Sequence, residues 1–137
     1  MFQLHPQLQA DTVLISELPL CSLLLCKDAN YPWCILVPRR ENIGEIHQLK
    51  KEERLQLLEE SCSLSQVMEE AFQADKMNVA ALGNVVPQLH IHHIARYTND
   101  SAWPKPIWGV NPTSEYSEEE MVKRIEIIRE GMQGLTD

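Results

Sequence analysis

Apolar and polar positions recur with two different periods along this chain, and the switches between them divide it into strands and helices. Three strand-length apolar runs come first, at residues 12–18, 20–27 and 34–38, separated by Pro19 and by the turn-forming Asp28-Ala29-Asn30-Tyr31-Pro32. Residues 42–47 read as a short irregular connection with room for one helical turn. From Lys50 to Ala74 the period becomes helical. Leu55, Leu58, Cys62, Val67, Met68, Ala71 and Phe72 fall on one stripe, and Lys51, Glu52, Glu59, Glu60 and Glu70 fall largely off it. Two further strands are predicted at 77–82 and 88–96, joined across Gly83-Asn84, and a loop rich in Trp and Pro follows from Tyr97 to Pro112. A last helix opens on the capping box of Ser117 and Glu120, carries Met121, Ile125, Ile128 and Met132 at helical spacing, and is expected to end at Gly131 and Gly134. The order β-β-β-α-β-β-α implies an α+β domain: an antiparallel five-stranded sheet with a long helix on one face and a C-terminal helix.

At 137 residues the chain has length for one core, so residues 1–137 are read as a single domain. No apolar run approaches the roughly 20 residues that cross a bilayer, and the N-terminus lacks the basic-then-apolar pattern of a secretory signal. No membrane association is expected. Cys21, Cys26, Cys34 and Cys62 form no Cys-x-x-Cys pair, which suits unpaired thiols in a reducing cytoplasm better than disulfides. The net charge of −8 argues against a nucleic acid polymer as partner. A single nucleotide needs only a few local donors and is not excluded by that charge.

The chemistry concentrates in Gln88-Leu89-His90-Ile91-His92-His93-Ile94-Ala95-Arg96. On a strand, Gln88, His90 and His92 point to one face and His93 to the other. Two imidazoles and a carboxamide on one face make a poor core and a good grip on phosphate, and histidine can also act as a nucleophile. His93 reads as a packed structural residue. Histidines at i and i+2 can also share a metal, with His47 or His5 completing a set, but no acidic cluster, His-x-x-x-His or Cys-x-x-Cys supports that alternative.

The segment resembles the signature of the histidine triad (HIT) superfamily, His-φ-His-φ-His-φ-φ with φ apolar. The likeness covers roughly Leu20 to Arg96, with its specific part at the end. Gln88 takes the first triad place, His90 the middle and His92 the last; the chain departs from the signature at Gln88, which replaces a histidine, and at His93, which replaces an apolar residue. The resemblance implies a nucleotide hydrolase that cleaves at a nucleoside α-phosphate through a covalent nucleotidyl-histidine on His90. Its substrate class includes dinucleoside polyphosphates such as diadenosine tetraphosphate and nucleoside phosphoramidates. His92 would hold phosphate oxygens and pass a proton to the leaving group, and Gln88 would donate its amide hydrogens to the same phosphate.

The resemblance also points to nucleotide contacts at Asn78, Asn84, Lys27 and Asp28. For Asn84 a plain turn is an equal reading, and for Lys27 and Asp28 an exposed charged pair. Arg39, Arg40 and Arg96 are the cations at hand for polyphosphate. Trp33 and Leu24 either line a base pocket or fill core, and Trp103 and Trp108 either face a leaving group, seal an interface or cover the sheet. No metal or cofactor is required at the nucleophile, though Mg2+ would accompany a polyphosphate. A homodimer is implied as well. Two other functions stay open: a nucleotidyltransferase of the same superfamily, and a nucleotide-binding module with little turnover.

Overall fold

The computed structural model describes residues 1–136. Helix α1 (Pro6–Asp11) leads into strands β1 (Thr12–Glu17), β2 (Cys21–Cys26) and β3 (Trp33–Pro38). A 3-10 turn (Ile46–Gln48) precedes the long helix α2 (Lys51–Phe72), then come β4 (Lys76–Ala80), β5 (Ile91–Arg96) and the terminal helix α3 (Glu118–Thr136). The strands form one antiparallel sheet in the order β1-β2-β3-β5-β4. The expected α+β architecture is therefore present.

Both faces of the sheet are covered. Its central strands β2 and β5 are buried at every position; β2 accordingly reads as a nearly continuous apolar run, whereas β5 buries His92, His93 and Arg96 with their partners. Leu23, Leu25, Cys34, Leu36 and Ile91 point to the helix face, where they meet Leu57, Leu64, Val67 and Met68 of α2 and Ile128 and Met132 of α3. Leu24, Cys26, Ile35 and Val37 point the other way and gather under Leu8 of α1 and Val86. On that same side Ile94 is packed with Tyr31, Ala102 and Ile107. A cleft opens on this second face.

Four sequence expectations need correction. The short helix α1 has no counterpart in the predicted elements. Its start is set by Pro6 in the first turn and by His5, whose Nδ1 accepts the Gln7 N–H. The buried side of α2 is rotated from the expected stripe: Leu55, Leu58 and Cys62 are exposed, while Glu60 is buried. The Glu60 carboxylate accepts the N–H groups of Leu20 and Cys21 and an amide hydrogen of Gln56, so it closes the turn between β1 and β2 from beneath. Helix α3 does not stop at Gly131. A Cβ there would lie 2.6 Å from Val67 Cγ1, so Gly131 marks a close crossing of α2 and α3. Finally, β5 begins at Ile91, three residues later than expected. Its ladder with β3 ends at the Leu36–Ile91 pair, Pro38 beyond has no N–H to offer, and Leu89 N–H turns instead to the Ile43 carbonyl.

Candidate active site

A cleft of about 670 Å³ lies over β2, β3 and β5 on the face opposite the two long helices. One wall comes from α1 through Gln7, Leu8 and Asp11; another comes from the turn around Gly83 and Asn84, and a third from Ile107, Trp108 and Asn111. Lys27, Asp28, Asn84, His90 and His92 all line it. These five sequence-nominated residues are brought together. Gln88 and Asn78 are not.

His90 and His92 stand side by side, their ring centroids 4.9 Å apart. His90 Nδ1 lies 2.7 Å from the Gln88 carbonyl oxygen. A carbonyl only accepts, so Nδ1 carries the proton and Nε2 keeps its lone pair. His92 has the opposite arrangement: Trp33 Nε1–H donates to its Nδ1 at 3.0 Å, which leaves the proton on Nε2. Among the described residues no buried side-chain nitrogen or oxygen is left without a partner. The two Nε2 atoms, which no protein group engages, are therefore turned to the open cleft. One presents a lone pair and its neighbour an N–H, an arrangement suited to attacking phosphorus and holding its oxygen.

Burial, followed by the neighbouring His90 and His93, pushes the His92 pKa down to about 3, so the ring is neutral at ordinary pH. His93 sits on the reverse face, fully buried, with Nδ1 donating to the Ile91 carbonyl and Nε2 2.7 Å from Ser61 Oγ of α2. Burial lowers its pKa to about 4. It faces away from the cleft and ties β5 to α2.

Gln88 is spent on the N-terminal segment. Its Oε1 accepts the His5 N–H at 2.8 Å and its Nε2 donates to the Gln3 carbonyl at 2.9 Å. The expected shared face with His90 is lost because residues 88–90 precede the strand. Asn78 is likewise occupied: its Oδ1 accepts from Arg96, which is itself buried, ion-paired with Asp100 and flanked by the Tyr31 and Trp103 rings. Hydrogen bonds from Arg96 and from the backbone N–H groups of Tyr97 and Ala102 hold the Asp100 carboxyl well below the usual carboxylate range. Arg39 and Arg40 pair with Glu17 and Glu53. None of these three arginines lines the cleft, and Lys27 is the only cation among the described residues that do.

Asp28 serves both the cleft and its wall. Its Oδ1 accepts from Asn30 and from Ser114 N–H, which fastens the segment after the Trp-rich loop to the end of β2. Trp108 reaches the cleft and meets the His92 ring edge-on at 5.1 Å, whereas Trp103 belongs to the Arg96 stack. Leu24 is core beneath α1. Sequence reasoning missed the cleft residues of α1, whose six residues are too few to show a period, and others such as Tyr31, Val86 and Asn111 that loops bring in. All four cysteines are free, and no cluster of three or more His, Cys, Asp or Glu groups suited to a metal occurs among the described residues.

The HIT domain model matches residues 7–99, which span α1 through β5 and the turn after it. The chain belongs to the HIT domain family. This HIT protein is similar to a histidine triad protein of Marinobacter aquaeolei, at 50% identity over 98% of each chain and a TM-score of 0.95. It is similar also to one from Bradyrhizobium japonicum, at 45% identity over 96% of this chain and 98% of that one, with a TM-score of 0.94. A third, from Sinorhizobium meliloti, is 38% identical over 95% of this chain and 96% of that one, with a TM-score of 0.93. No curated protein matches the chain.

Proposed function

We propose that this HIT protein is a nucleotide hydrolase that cleaves at a nucleoside α-phosphate through a covalent intermediate on His90. The observation that carries the reading is the hydrogen bond of His90 Nδ1 to the Gln88 carbonyl, which leaves the Nε2 lone pair directed into the cleft beside the His92 N–H. Nε2 attacks phosphorus, the N–P bond forms, and the bond to the leaving group breaks with its electron pair going to that group. Water then attacks phosphorus, the N–P bond breaks, and His90 regains its lone pair. For a phosphoramidate the sum is one water consumed, with nucleoside monophosphate and a protonated amine released.

Charge favours a substrate with one phosphate. Asp11 and Asp28 sit in the same cleft as Lys27, and the arginines are paired elsewhere. A dinucleoside polyphosphate brings several negative charges that such a site leaves unopposed, and Mg2+ would have to arrive with it. The exposed Leu82, Val85 and Trp108 at the rim suit an uncharged leaving group. Comparing kcat/KM for an adenosine phosphoramidate and diadenosine tetraphosphate tests this. The phosphoramidate is expected to be the better substrate by at least tenfold, and equal or reversed values would contradict it.

A homodimer suits the opposite side of the molecule. Val79 on the edge strand β4 pairs with His93, and His93 bonds Ser61, one turn from the exposed Leu58. Leu55, Leu58 and Val79 thus form an apolar strip next to a free sheet edge. Light scattering on wild type and Leu58→Glu is expected to give a dimer and a monomer; a monomeric wild type would rule the strip out.

A further inference from the structure

We propose that Trp33 is a positioning residue that holds His92 as a permanent Nε2–H donor, so that His92 grips the reacting phosphate and does not protonate the leaving group. The inference rests on the reading of His90 as nucleophile and adds a division of labour between the two rings. An indole N–H can only donate, and that of Trp33 lies 3.0 Å from His92 Nδ1. Adding a second proton to the His92 ring would place two N–H groups head to head. The neutral ring can lose its single N–H only by becoming an imidazolate. His92 is thus neither an acid nor a base within this framework.

Nothing around the ring opposes that state. On its own face stand His90, Trp108 and, across the β3 pairing, Ile35; Ala80 of β4 is its partner on the other side and His93 lies behind the sheet. The charged groups in the cleft are Asp11, Lys27 and Asp28, and none hydrogen-bonds His92. Trp33 is itself fixed, edge-on to Trp108 at 6.1 Å, so the donor is held in place. An amine leaving group then takes its proton from water.

The test is Trp33→Phe, which keeps an aromatic ring and removes the N–H. Long-range 15N–1H NMR of the free wild-type protein is expected to show His92 as the Nε2–H tautomer with no titration between about pH 5 and 8. In W33F the Nε2–H tautomer should no longer be enforced, and an Nδ1–H form of His92 should appear beside it. Activity should fall about tenfold, as for loss of a partner that orients an active-site histidine. A wild-type His92 that carries its proton on Nδ1, or that titrates in this range, overturns the proposal. So does a W33F variant whose His92 tautomer is unchanged. The NMR reading is made on the free protein, so failure of the enzymatic reading, seen as absent turnover in wild type, is distinguishable from failure of the lock.

Discussion

Three histidines within four residues stand in three different hydrogen-bond settings because their neighbours differ. His90 has a backbone carbonyl at Nδ1, His92 an indole N–H, and His93 a serine hydroxyl at Nε2 on the far side of the sheet. Burial lowers the pKa of His92 to about 3 and that of His93 to about 4. In the unfolded chain both would titrate near 6.5. Between roughly pH 6.5 and 4 the unfolded state therefore binds more protons than the folded one, and stability falls as pH drops. Urea unfolding is expected to lose roughly 1–2 kcal/mol per pH unit across this window; a pH-independent midpoint would show that these rings are charged in the folded protein. The residues of this cluster were legible in the sequence, as were their faces, since strand alternation separates His92 from His93. Their proton positions were not, because Trp33 is 59 residues from His92 in sequence and meets it only through the β3–β5 pairing.

At the scale of elements, the late start of β5 changes the role of Gln88. A strand reaching back to residue 88 would have aimed that carboxamide at phosphate; with the ladder ending at Ile91, it instead fastens the N-terminal segment whose helix walls the cleft. Gln88→His is therefore expected to raise KM about tenfold, the loss of one or two hydrogen bonds, with a smaller fall in kcat. A gain of orders of magnitude in rate would mean that the glutamine is a weakened catalytic residue. The register of β5 escaped sequence reading because Pro38, which limits it, lies in another strand, and α1 escaped because a single turn and a half has no period to detect. The helix pair offers a second check. A Cβ added at Gly134 would meet nothing within 4 Å, whereas one at Gly131 would meet Val67 at 2.6 Å. Gly134→Ala should stabilise by up to ~1 kcal/mol, while Gly131→Ala should lower the melting temperature despite the same propensity gain, because the two helices must separate. Equal effects from the two substitutions would contradict the close crossing.

For the molecule as a whole, the sheet divides two kinds of work. The helix face holds most of the core, and Leu55, Leu58 and Val79 are left exposed beside it. The other face spends its covering on short elements, α1 and the segment between β5 and α3, which leave a cleft between them. Among the described residues no helix is long and apolar enough to cross a membrane. The α+β class and the strand order's antiparallel sense followed from the hydrophobic pattern, whereas the cleft walls depended on contacts between segments more than 80 residues apart, such as Asn30 with Pro112 and Asp28 with Ser114. Under the proposed function, His90 Nε2 becomes bonded to phosphorus. Intact-protein mass spectrometry at neutral pH, after brief mixing with an adenosine phosphoramidate, tests it directly. Wild type is expected to gain the mass of one adenosine monophosphate group transiently, with free monophosphate accumulating, and His90→Ala to show neither. Product formation by His90→Ala at the wild-type rate, or no adduct and no product from wild type across several bases, would contradict the account.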